Sequence, residues 1–329
     1  MKTFEYSRAH DVTDAVHRHG SSEDAKYLGG GTNLIDLMKY GVESPSRLVD
    51  ITHVPLTKIS PLPGGGLRIG ALVRNSDLAA DPRVVRDYPA LSQAILNGAS
   101  PQLRNMATTG GNLMQRTRCY YFYDTAFACN KRKPGSGCSA LEGINRIHAI
   151  LGQSQNCIAV NPSDMSVAMA ALDAVVHVEG PDGKREIPIL EFHRLPGDTP
   201  NIDTNLRPGE LITFVDLPPS LVARHSAYLK VRDRNSYAFA LTSAAVALQM
   251  DGGKIRSARL ALGGVAHKPW RAKEAEALLV GKPATGESFQ SAAEVALQGA
   301  QGYKYNTFKI ELAKRTIVRA FSDLAGGAA

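Results

Sequence analysis

Residues 26–38 read KYLGGGTNLIDLM, and this stretch decides the fold expected for the N-terminal part of the chain. Lys26–Leu28 predicts a short strand, and apolar residues recur at helical spacing after three consecutive glycines. Glycines at a strand-to-helix turn let the backbone approach a phosphate closely, and free N–H groups at a helix start attract negative charge. Neither a Walker loop nor the G-x-G-x-x-G dinucleotide spacing is present. The stretch therefore indicates an anion-binding turn, with a purely structural glycine turn as the open alternative.

A second glycine-bearing turn lies in residues 107–118, ATTGGNLMQRTR, and offers the same chemistry again. Two such turns suggest contacts with two sides of one extended anion, and a pyrophosphate-containing cofactor has that shape. Asp164 follows Pro162–Ser163 and can accept a hydrogen bond from a ribityl or ribose hydroxyl, although a helix N-cap is an equally natural role. The residues alone therefore predict a dinucleotide of unspecified kind.

Length and composition describe a globular protein of two or three domains. The chain has 329 residues, of which 43% are hydrophobic and 21% charged. No apolar run is long enough to span a membrane, and the start MKTFEYSRAHDVTDAVHRHG predicts no export signal on this chain. The net charge of +7 is scattered and lacks interleaved aromatics, so nucleic acid is not expected as a partner.

Periodicity along the chain predicts an α+β protein with a domain boundary near residue 222. A hairpin is expected around the turn Gly64–Gly66. The predicted strands cover residues 3–6, 26–28, 47–51, 175–178, 185–188, 244–250 and 257–262, and residues 206–216 are predicted to be a loop followed by a strand. The predicted helices cover residues 11–19, 76–80, 90–96, 165–172, 272–279, 289–297 and 308–323.

The chain's four cysteines all fall in one irregular segment. Their spacing is C-x9-C-x8-C-x18-C, at Cys119, Cys129, Cys138 and Cys157. A long irregular stretch inside a compact domain needs a special reason to be ordered. Buried free thiols, two disulfides and a metal centre are all compatible with the pattern. Four thiolates suit zinc or a cubane iron–sulfur cluster, although the paired C-x2-C knuckles of zinc ribbons are missing, so spacing alone leaves these alternatives open.

Several motifs taken together resemble one known family. KYLGGGTNLIDLM, RNMATTGGNLMQ and NPSDMSVAMAALDA resemble the FAD-binding subunits of the xanthine dehydrogenase and aldehyde oxidoreductase family of molybdenum hydroxylases. The similarity continues through YLKVRDRNSYAFALTSAAVALQ and LGGVAHKPWRA. It implies a PCMH-type FAD-binding domain of two α/β subdomains over residues 1–222. A CO-dehydrogenase-flavoprotein-like domain of antiparallel sheet and helices would follow over residues 223–329.

The resemblance also implies which residues hold the FAD. The first turn would wrap the pyrophosphate and the second turn its other side, while an acid would contact the ribityl chain and a lysine and an apolar residue would lie near the isoalloxazine ring. The implied cofactor-binding residues are Tyr27, Leu28, Gly29, Gly30, Gly31, Thr32, Asn33, Leu34, Thr108, Gly110, Gly111, Asn112, Arg118, Asp164, Ile212 and Lys230. Gly29 stands where the family usually has alanine, a departure expected to change little.

The cysteine segment is similar to an insertion of bacterial periplasmic aldehyde oxidoreductase flavoprotein subunits. That similarity implies an iron–sulfur insertion at about residues 116–160, with a [4Fe–4S] cluster on the four cysteines. Nearby basic residues would partly offset the cluster's negative charge, with a solvated basic face as the alternative. These residues are Arg116, Arg118, Lys131 and Arg132.

No catalytic acid–base set stands out in the sequence. His148 and His267 are single histidines in apolar contexts and are expected to be structural. This fits a redox subunit whose cofactor carries the chemistry. By the family's arrangement, substrate would be oxidised at a molybdenum cofactor in a large partner. Electrons would then cross two [2Fe–2S] clusters in a small partner to FAD in this chain, and from there reach an external acceptor.

The expected assembly is a heterotrimer or a dimer of heterotrimers. Its compartment would be the periplasm, by co-export with a signal-bearing partner, with the cytoplasm as the alternative. The alternative functions are a flavoprotein subunit like those of xanthine dehydrogenase or 4-hydroxybenzoyl-CoA reductase, a stand-alone FAD oxidase, and a zinc-stabilised nucleotide-binding module. The substrate is not readable from this chain, because the substrate pocket would belong to the partner.

Overall fold

The computed structural model describes residues 1–22 and 24–326. Residues 327–329, which the predicted C-terminal domain includes, lie outside the described residues. The strands are β1 Glu5–Arg8, β2 Ala25–Leu28, β3 Arg47–Asp50, β4 Ile59–Pro61, β5 Leu67–Gly70, β6 Val175–Gly180, β7 Gly183–Pro188, β8 Leu211–Leu217, β9 Ser226–Val231, β10 Thr242–Asp251, β11 Lys254–Gly263 and β12 Trp270–Arg271. The helices are α1 Val12–His19, α2 Leu34–Lys39, α3 Asn75–Ala80, α4 Pro82–Asp87, α5 Pro89–Asn97, α6 Pro101–Arg104, α7 Thr109–Leu113, α8 Tyr120–Tyr123, α9 Asp164–Ala171, α10 Ile189–Phe192, α11 Lys273–Leu279, α12 Gly286–Ala296 and α13 Phe308–Gly326.

A small parallel sheet opens the chain and positions the first glycine turn. Its strands lie in the order β1-β3-β2, and both outer strands run parallel to β3. The helix α1 begins where the Asp11 side chain accepts a hydrogen bond from the N–H of Asp14, as expected for an N-cap. The turn that follows β2 is therefore held at the carboxyl end of a strand, which is where α/β proteins commonly bind ligands.

A five-stranded antiparallel sheet forms the second layer, in the order β4-β5-β8-β6-β7. The predicted hairpin around Gly64–Gly66 is confirmed, because β4 and β5 pair antiparallel and all three glycines have positive φ. Helix α9 packs between this part and the C-terminal part, and residues Met165–Ala171 are all buried. A helix that is buried on all sides, as α9 is, requires apolar or small side chains on every face.

The C-terminal part is a four-stranded antiparallel sheet, β12-β11-β10-β9, covered by helices. Strand β10 contacts α13 on one side and α9 on the other. Burial on both faces explains why Thr242–Leu248 is a continuous buried run without alternation. Phe289 of α12 stacks on Phe321 of α13 with ring centroids 5.2 Å apart. The predicted boundary near residue 222 falls in the short 3-10 turn Val222–Arg224, between β8 and β9.

The α+β architecture is confirmed, and the differences lie in individual elements. The first strand begins at Glu5 and not at residue 3, because its parallel register pairs Glu5 with Arg47. The second glycine stretch, expected as a loop, contains the short helix α7, since the Thr108 side chain caps it by accepting from the Gly111 N–H. In the described part of the chain, no helix is long and apolar enough to cross a membrane.

Replacing Phe321 by alanine should destabilise the C-terminal part strongly. The ring is fully buried and stacked on Phe289, so Phe321→Ala is expected to lower the free energy of unfolding by about 3–5 kcal/mol. Leu221→Ala is the control, because Leu221 is 72% exposed and should change the value by less than about 0.5 kcal/mol. Urea denaturation followed by circular dichroism measures both, and similar effects of the two substitutions would contradict the packing described.

Candidate functional site

The two glycine turns are packed against each other. A Cβ added to Gly30 would lie 1.9 Å from the carbonyl oxygen of Met106, and one added to Gly29 would lie 3.2 Å from the Thr108 hydroxyl. Gly31 has a φ of 72°, in the left-handed region that favours glycine. The run of glycines is therefore required by close approach at Gly30 and by backbone conformation at Gly31.

The first turn presents backbone donors that the protein itself does not use. Within residues 1–22 and 24–326, the N–H groups of Gly29–Asn33 make no hydrogen bond to a protein acceptor. Unused amides on consecutive residues form an anion-binding concavity. They lie just before the N-terminus of α2, where the helix also favours negative charge. The first turn thus has the geometry expected of a phosphate-binding turn.

The second turn does not offer the same backbone chemistry, and that expectation is wrong. The Thr109 N–H donates to the Val73 carbonyl at 2.9 Å, and the Gly110 N–H donates to the Ala71 carbonyl at 2.8 Å. The next two amides bond to Thr108 as part of the α7 cap. The N–H groups of the second turn therefore make hydrogen bonds within the protein, which hold this turn beside the first turn. Any ligand contact from this turn must come from side chains or from its surface shape.

Side chains link the second turn to the start of α9. The Asn112 Oδ1 atom accepts a hydrogen bond from the Ser163 hydroxyl at 2.6 Å. Ser163 in turn caps α9 by accepting from the Ser166 N–H at 3.0 Å. The N-cap role considered for Asp164 is therefore wrong, because Ser163 performs it. Asp164 is left at the first position of the helix, with its carboxylate available for other partners.

Asp164 and Lys230 form a buried ion pair across the two domains. The Lys230 ammonium lies 2.7 Å from one carboxylate oxygen, and the exposed fractions of the two side chains are 10% for Asp164 and 2% for Lys230. The Tyr228 hydroxyl donates to the other oxygen at 2.6 Å, and burial raises the pKa of Tyr228 well above its usual value. A carboxylate has about four acceptor positions, so this one retains capacity for a ligand hydroxyl.

Arg118 and Asp164 both line one open cleft. The cleft is further lined by Ile147, Val160, Asn161, Pro162, Ser163, Val167, Phe239, Ala240, Ser243, Gly263 and Gly264. The Arg118 guanidinium packs over the rings of Tyr123 and Phe239, and burial lowers its pKa. In the described part of the chain it forms no ion pair with a carboxylate. The carboxylate of Asp36 raises the pKa of Arg118 against the effect of burial without forming an ion pair with it, so the guanidinium keeps donors for an anionic ligand.

Of the predicted cofactor residues, Arg118 and Asp164 line this cleft, and the others are not part of its lining. Ile212 is buried in β8 below the second turn, 3.7 Å from a Cβ built on Gly110, and does not line the cleft. The Tyr27 hydroxyl donates to the Gly209 carbonyl at 2.8 Å, so this side chain anchors β2 to the body of the domain. Asn33 accepts from the Arg116 N–H at 2.9 Å, which ties the first turn to the cysteine segment.

All four cysteines line a single cavity. Cys119, Cys129 and Cys157 are buried, Cys138 is half-buried, and all four are free thiols, so the disulfide alternative is wrong. Burial raises the pKa of Cys119 to about 12 and that of Cys157 to about 11. Such thiols lose their protons when a bound metal compensates the charge. Among the described residues, no group of three or more potential ligands is arranged to hold a single metal ion.

The basic residues of the cysteine segment are not a solvated face, which corrects that alternative. Lys131 is 1% exposed and pairs with Asp203, whose other carboxylate oxygen lies 2.8 Å from Arg116. Burial alone would raise the pKa of Asp203, but the charges of Lys131 and Arg116 hold it below its usual range. Arg132 donates to the Tyr121 and Phe122 carbonyls at 2.9 and 2.7 Å. These contacts anchor the segment to the rest of the chain.

His148 is a site residue that the sequence did not reveal. Its Nε2 atom lies 3.1 Å from the Cys119 sulfur. The available signal was its position between Cys138 and Cys157 in the sequence, which does not specify contact with a third cysteine. His267 behaves as expected of a structural residue, since its Nδ1 bonds to the Arg194 carbonyl at 2.8 Å.

The structure is that of a two-part α+β protein whose first glycine turn has unused backbone amides, and comparison with known families specifies its class. Residues 2–220 match the FAD binding domain in molybdopterin dehydrogenase. Residues 226–324 match the CO dehydrogenase flavoprotein C-terminal domain. The chain belongs to this family of molybdenum hydroxylase FAD-binding subunits, which confirms the resemblance noted in the sequence.

Relatives of the same kind match nearly the whole chain. It is 53% identical over 324 residues to the aldehyde oxidoreductase FAD-binding subunit PaoB of Escherichia coli, covering 98% of both chains. It is 29% identical over 279 residues to the glyceraldehyde dehydrogenase medium chain of Sulfolobus acidocaldarius, covering 85% of this chain and 82% of that one. Among solved structures, carbon monoxide dehydrogenase from Hydrogenophaga pseudoflava has a TM-score of 0.77 at 27% identity, covering 99% of this chain and 98% of that one.

A methyl group at residue 30 should separate the two turns. Gly30→Ala would overlap the Met106 carbonyl, and such overpacking typically costs about 1–3 kcal/mol in the free energy of unfolding. Gly286→Ala is the matched control, because no atom lies within 4 Å of a Cβ there, and its effect should stay below about 1 kcal/mol. Urea denaturation measures both. Equal stability of the two variants would show that the turns are not in contact.

Proposed function

We propose that this chain is the FAD- and [4Fe–4S]-containing electron-transfer subunit of a multi-subunit molybdenum-dependent aldehyde oxidoreductase. The observation that carries the FAD part is the row of unused amides at Gly29–Asn33. The Asn33 side chain ties this turn, through the Arg116 N–H, to the segment whose Arg118 lines a cleft together with Asp164. Aldehyde as the substrate class is supported by the 53% identity to an aldehyde oxidoreductase subunit along almost the full chain. Oxidation of the aldehyde itself would take place in a partner subunit.

The residues present fit an FAD in this cleft. The amides of Gly29–Asn33 would bind the diphosphate, and Arg118 would supply positive charge to it. Asp164 would accept hydrogen bonds from ribityl hydroxyls with its remaining lone pairs. When bound, the flavin supplies the ability to accept and pass on electrons.

Lys230 would act on the flavin through its charge. Its ammonium is 2% exposed and is held by Asp164 and by the Asn97 carbonyl at 3.1 Å, so its position is preset. A fixed buried cation stabilises negative charge that develops nearby without a cost for reorganisation. Ile212, buried beneath the second turn, would shape the floor of the site and not contact the ring directly. The remaining predicted residues, Tyr27, Leu28, Leu34, Thr108, Gly110, Gly111 and Asn112, would hold the two turns in register.

The cysteine cavity would hold the iron–sulfur cluster. Its support is that four free thiols from a segment without regular periodicity line one cavity. The Ala159 N–H lies 3.5 Å from the Cys157 sulfur, and amide donors to cluster sulfurs are typical of iron–sulfur sites. The positive charge of Lys131 lowers the pKa of Cys157 and so favours the thiolate, whereas burial raises this pKa. Arg116 and Arg132 would act by fixing the segment.

The partners proposed are a large subunit with the molybdenum cofactor and a small subunit with two [2Fe–2S] clusters. The support is that related chains are medium subunits of multi-subunit enzymes. An external acceptor would take the electrons that leave this chain. Periplasmic location by co-export with a signal-bearing partner is proposed on the resemblance of the cysteine segment alone.

Removal of the Arg118 charge should weaken FAD binding without unfolding the protein. Arg118→Gln loses a charge-assisted contact worth about 1.5–3 kcal/mol, so FAD affinity should fall at least about tenfold. Arg146→Gln is the control, because Arg146 forms an exposed ion pair with Asp233. Fluorescence titration of the deflavinated complex with FAD gives both affinities. An unchanged affinity in Arg118→Gln would place the diphosphate elsewhere.

Iron and sulfide analysis tests the cluster independently of the flavin. The anaerobically purified complex should contain about four more iron and four more sulfide ions per heterotrimer than the [2Fe–2S] subunit accounts for. Cys129→Ser should remove this excess while FAD stays bound. Zinc in place of the excess iron would support the zinc-stabilised alternative and overturn the cluster.

Turnover of aldehydes compared with purines by the same preparation tests the substrate class.

A further inference from the structure

His148 is built into the wall of the cysteine cavity. It is 1% exposed, and its Nε2 atom lies 3.1 Å from the Cys119 sulfur. Its own N–H donates to the Asn145 carbonyl at 3.0 Å. The backbone from which the imidazole projects is therefore held in place, and the ring itself is buried.

Two side chains near the start of the long C-terminal helix hold His148 from the other side. The Lys309 ammonium donates to the His148 carbonyl at 2.7 Å and to the Gly264 carbonyl at 2.6 Å. The Asn306 side-chain amide donates to the same His148 carbonyl at 3.2 Å. Lys309 is 0% exposed, and its two hydrogen bonds tie the backbone of His148 to Gly264, which lines the cleft of Arg118 and Asp164. These contacts fix the backbone of His148 beside the cysteine cavity.

The chemistry of the contact follows from the partners available. The His148 Nδ1 atom is buried and has no hydrogen-bond partner among the residues described. A cysteine sulfur that ligates iron carries no proton and can only accept. A neutral imidazole carries one ring proton, on either of its two nitrogens. For a hydrogen bond to form with a thiolate, that proton must be on Nε2.

We infer that His148 donates its Nε2–H to the Cys119 sulfur and thereby raises the reduction potential of the cluster held there. This inference rests on the proposed cluster. A hydrogen bond to a ligating sulfur withdraws electron density from it and stabilises the more negative, reduced state. His148 is a positioning residue in this role, since it acts on the cluster through Cys119. The cluster would accept electrons more readily than the same four thiolates without the donor.

The test is a redox titration of the complete complex, followed by electron paramagnetic resonance of the reduced cluster. His148→Met removes the donor, and at a fixed applied potential the ratio of reduced to oxidised cluster should fall about tenfold, which is about 59 mV for a one-electron couple. His148→Gln keeps an N–H at a similar reach and should recover most of the ratio. His193→Met is the matched control, because His193 is equally buried but bonds to the Leu113 carbonyl. That variant should leave the ratio unchanged.

A second measurement covers the case in which His148→Met fails to assemble the cluster. Protein labelled with ¹⁵N-histidine should show a weak hyperfine coupling between a ring nitrogen and the reduced cluster, and His148→Gln should abolish it. Absence of that coupling in the unsubstituted complex, or equal potentials of an assembled His148→Met variant and the unsubstituted complex, would overturn the inference while leaving the cluster in place. Absence of the excess iron from the unsubstituted complex would remove the proposed cluster itself, so the two failures are distinct.

Discussion

A methyl group on Gly30 would lie 1.9 Å from the Met106 carbonyl oxygen, and this contact between two turns is the constraint on which the site depends. One turn ends a parallel strand and the other begins a short helix, and they meet only because no side chain separates them. The second turn uses its amides to fix itself to Val73 and Ala71. The first turn is thereby supported from below while its own amides stay available. Because the second turn is fixed by its own hydrogen bonds, it can support the first turn while the N–H groups of the first turn stay free to bind a ligand.

The same region connects the proposed flavin site to the cysteine cavity. Asn33 of the first turn accepts the N–H of Arg116, and Arg118 lies in the flavin cleft immediately before Cys119. Only two residues therefore lie between Arg116, which contacts the first glycine turn, and Cys119. Lys309 links the other side, since it bonds to the carbonyls of His148 and Gly264. Two redox groups in these places would be held at a fixed separation by short, buried connections, as electron transfer between them requires.

The sequence predicted those parts of the structure that depend on local pattern. Strand β2, the glycine run and most of the other strands and helices were readable because apolar periodicity and glycine content are local properties, and the family resemblance supplied the types of the two domains. The fate of the second turn was not readable, because its amides are consumed by Val73 and Ala71, more than 30 residues earlier in the chain. The N-cap of α9 was also not readable, because Ser163 and not Asp164 accepts the hydrogen bond from the Ser166 N–H. The contact of His148 with Cys119 was not readable either, because the backbone of His148 is held by Lys309 at the start of α13 and by Asn306 just before that helix, both about 160 residues further along the chain.

The central claim is that backbone amides of the first turn bind a flavin diphosphate next to the cysteine cavity. An experimental structure of the anaerobically purified complex tests it most directly, with anomalous data collected at the iron edge. The account predicts phosphate oxygens within hydrogen-bond distance of the N–H groups of Gly29–Asn33 and an iron signal between the four cysteine sulfurs. A flavin bound elsewhere, with those amides facing only solvent, would contradict it.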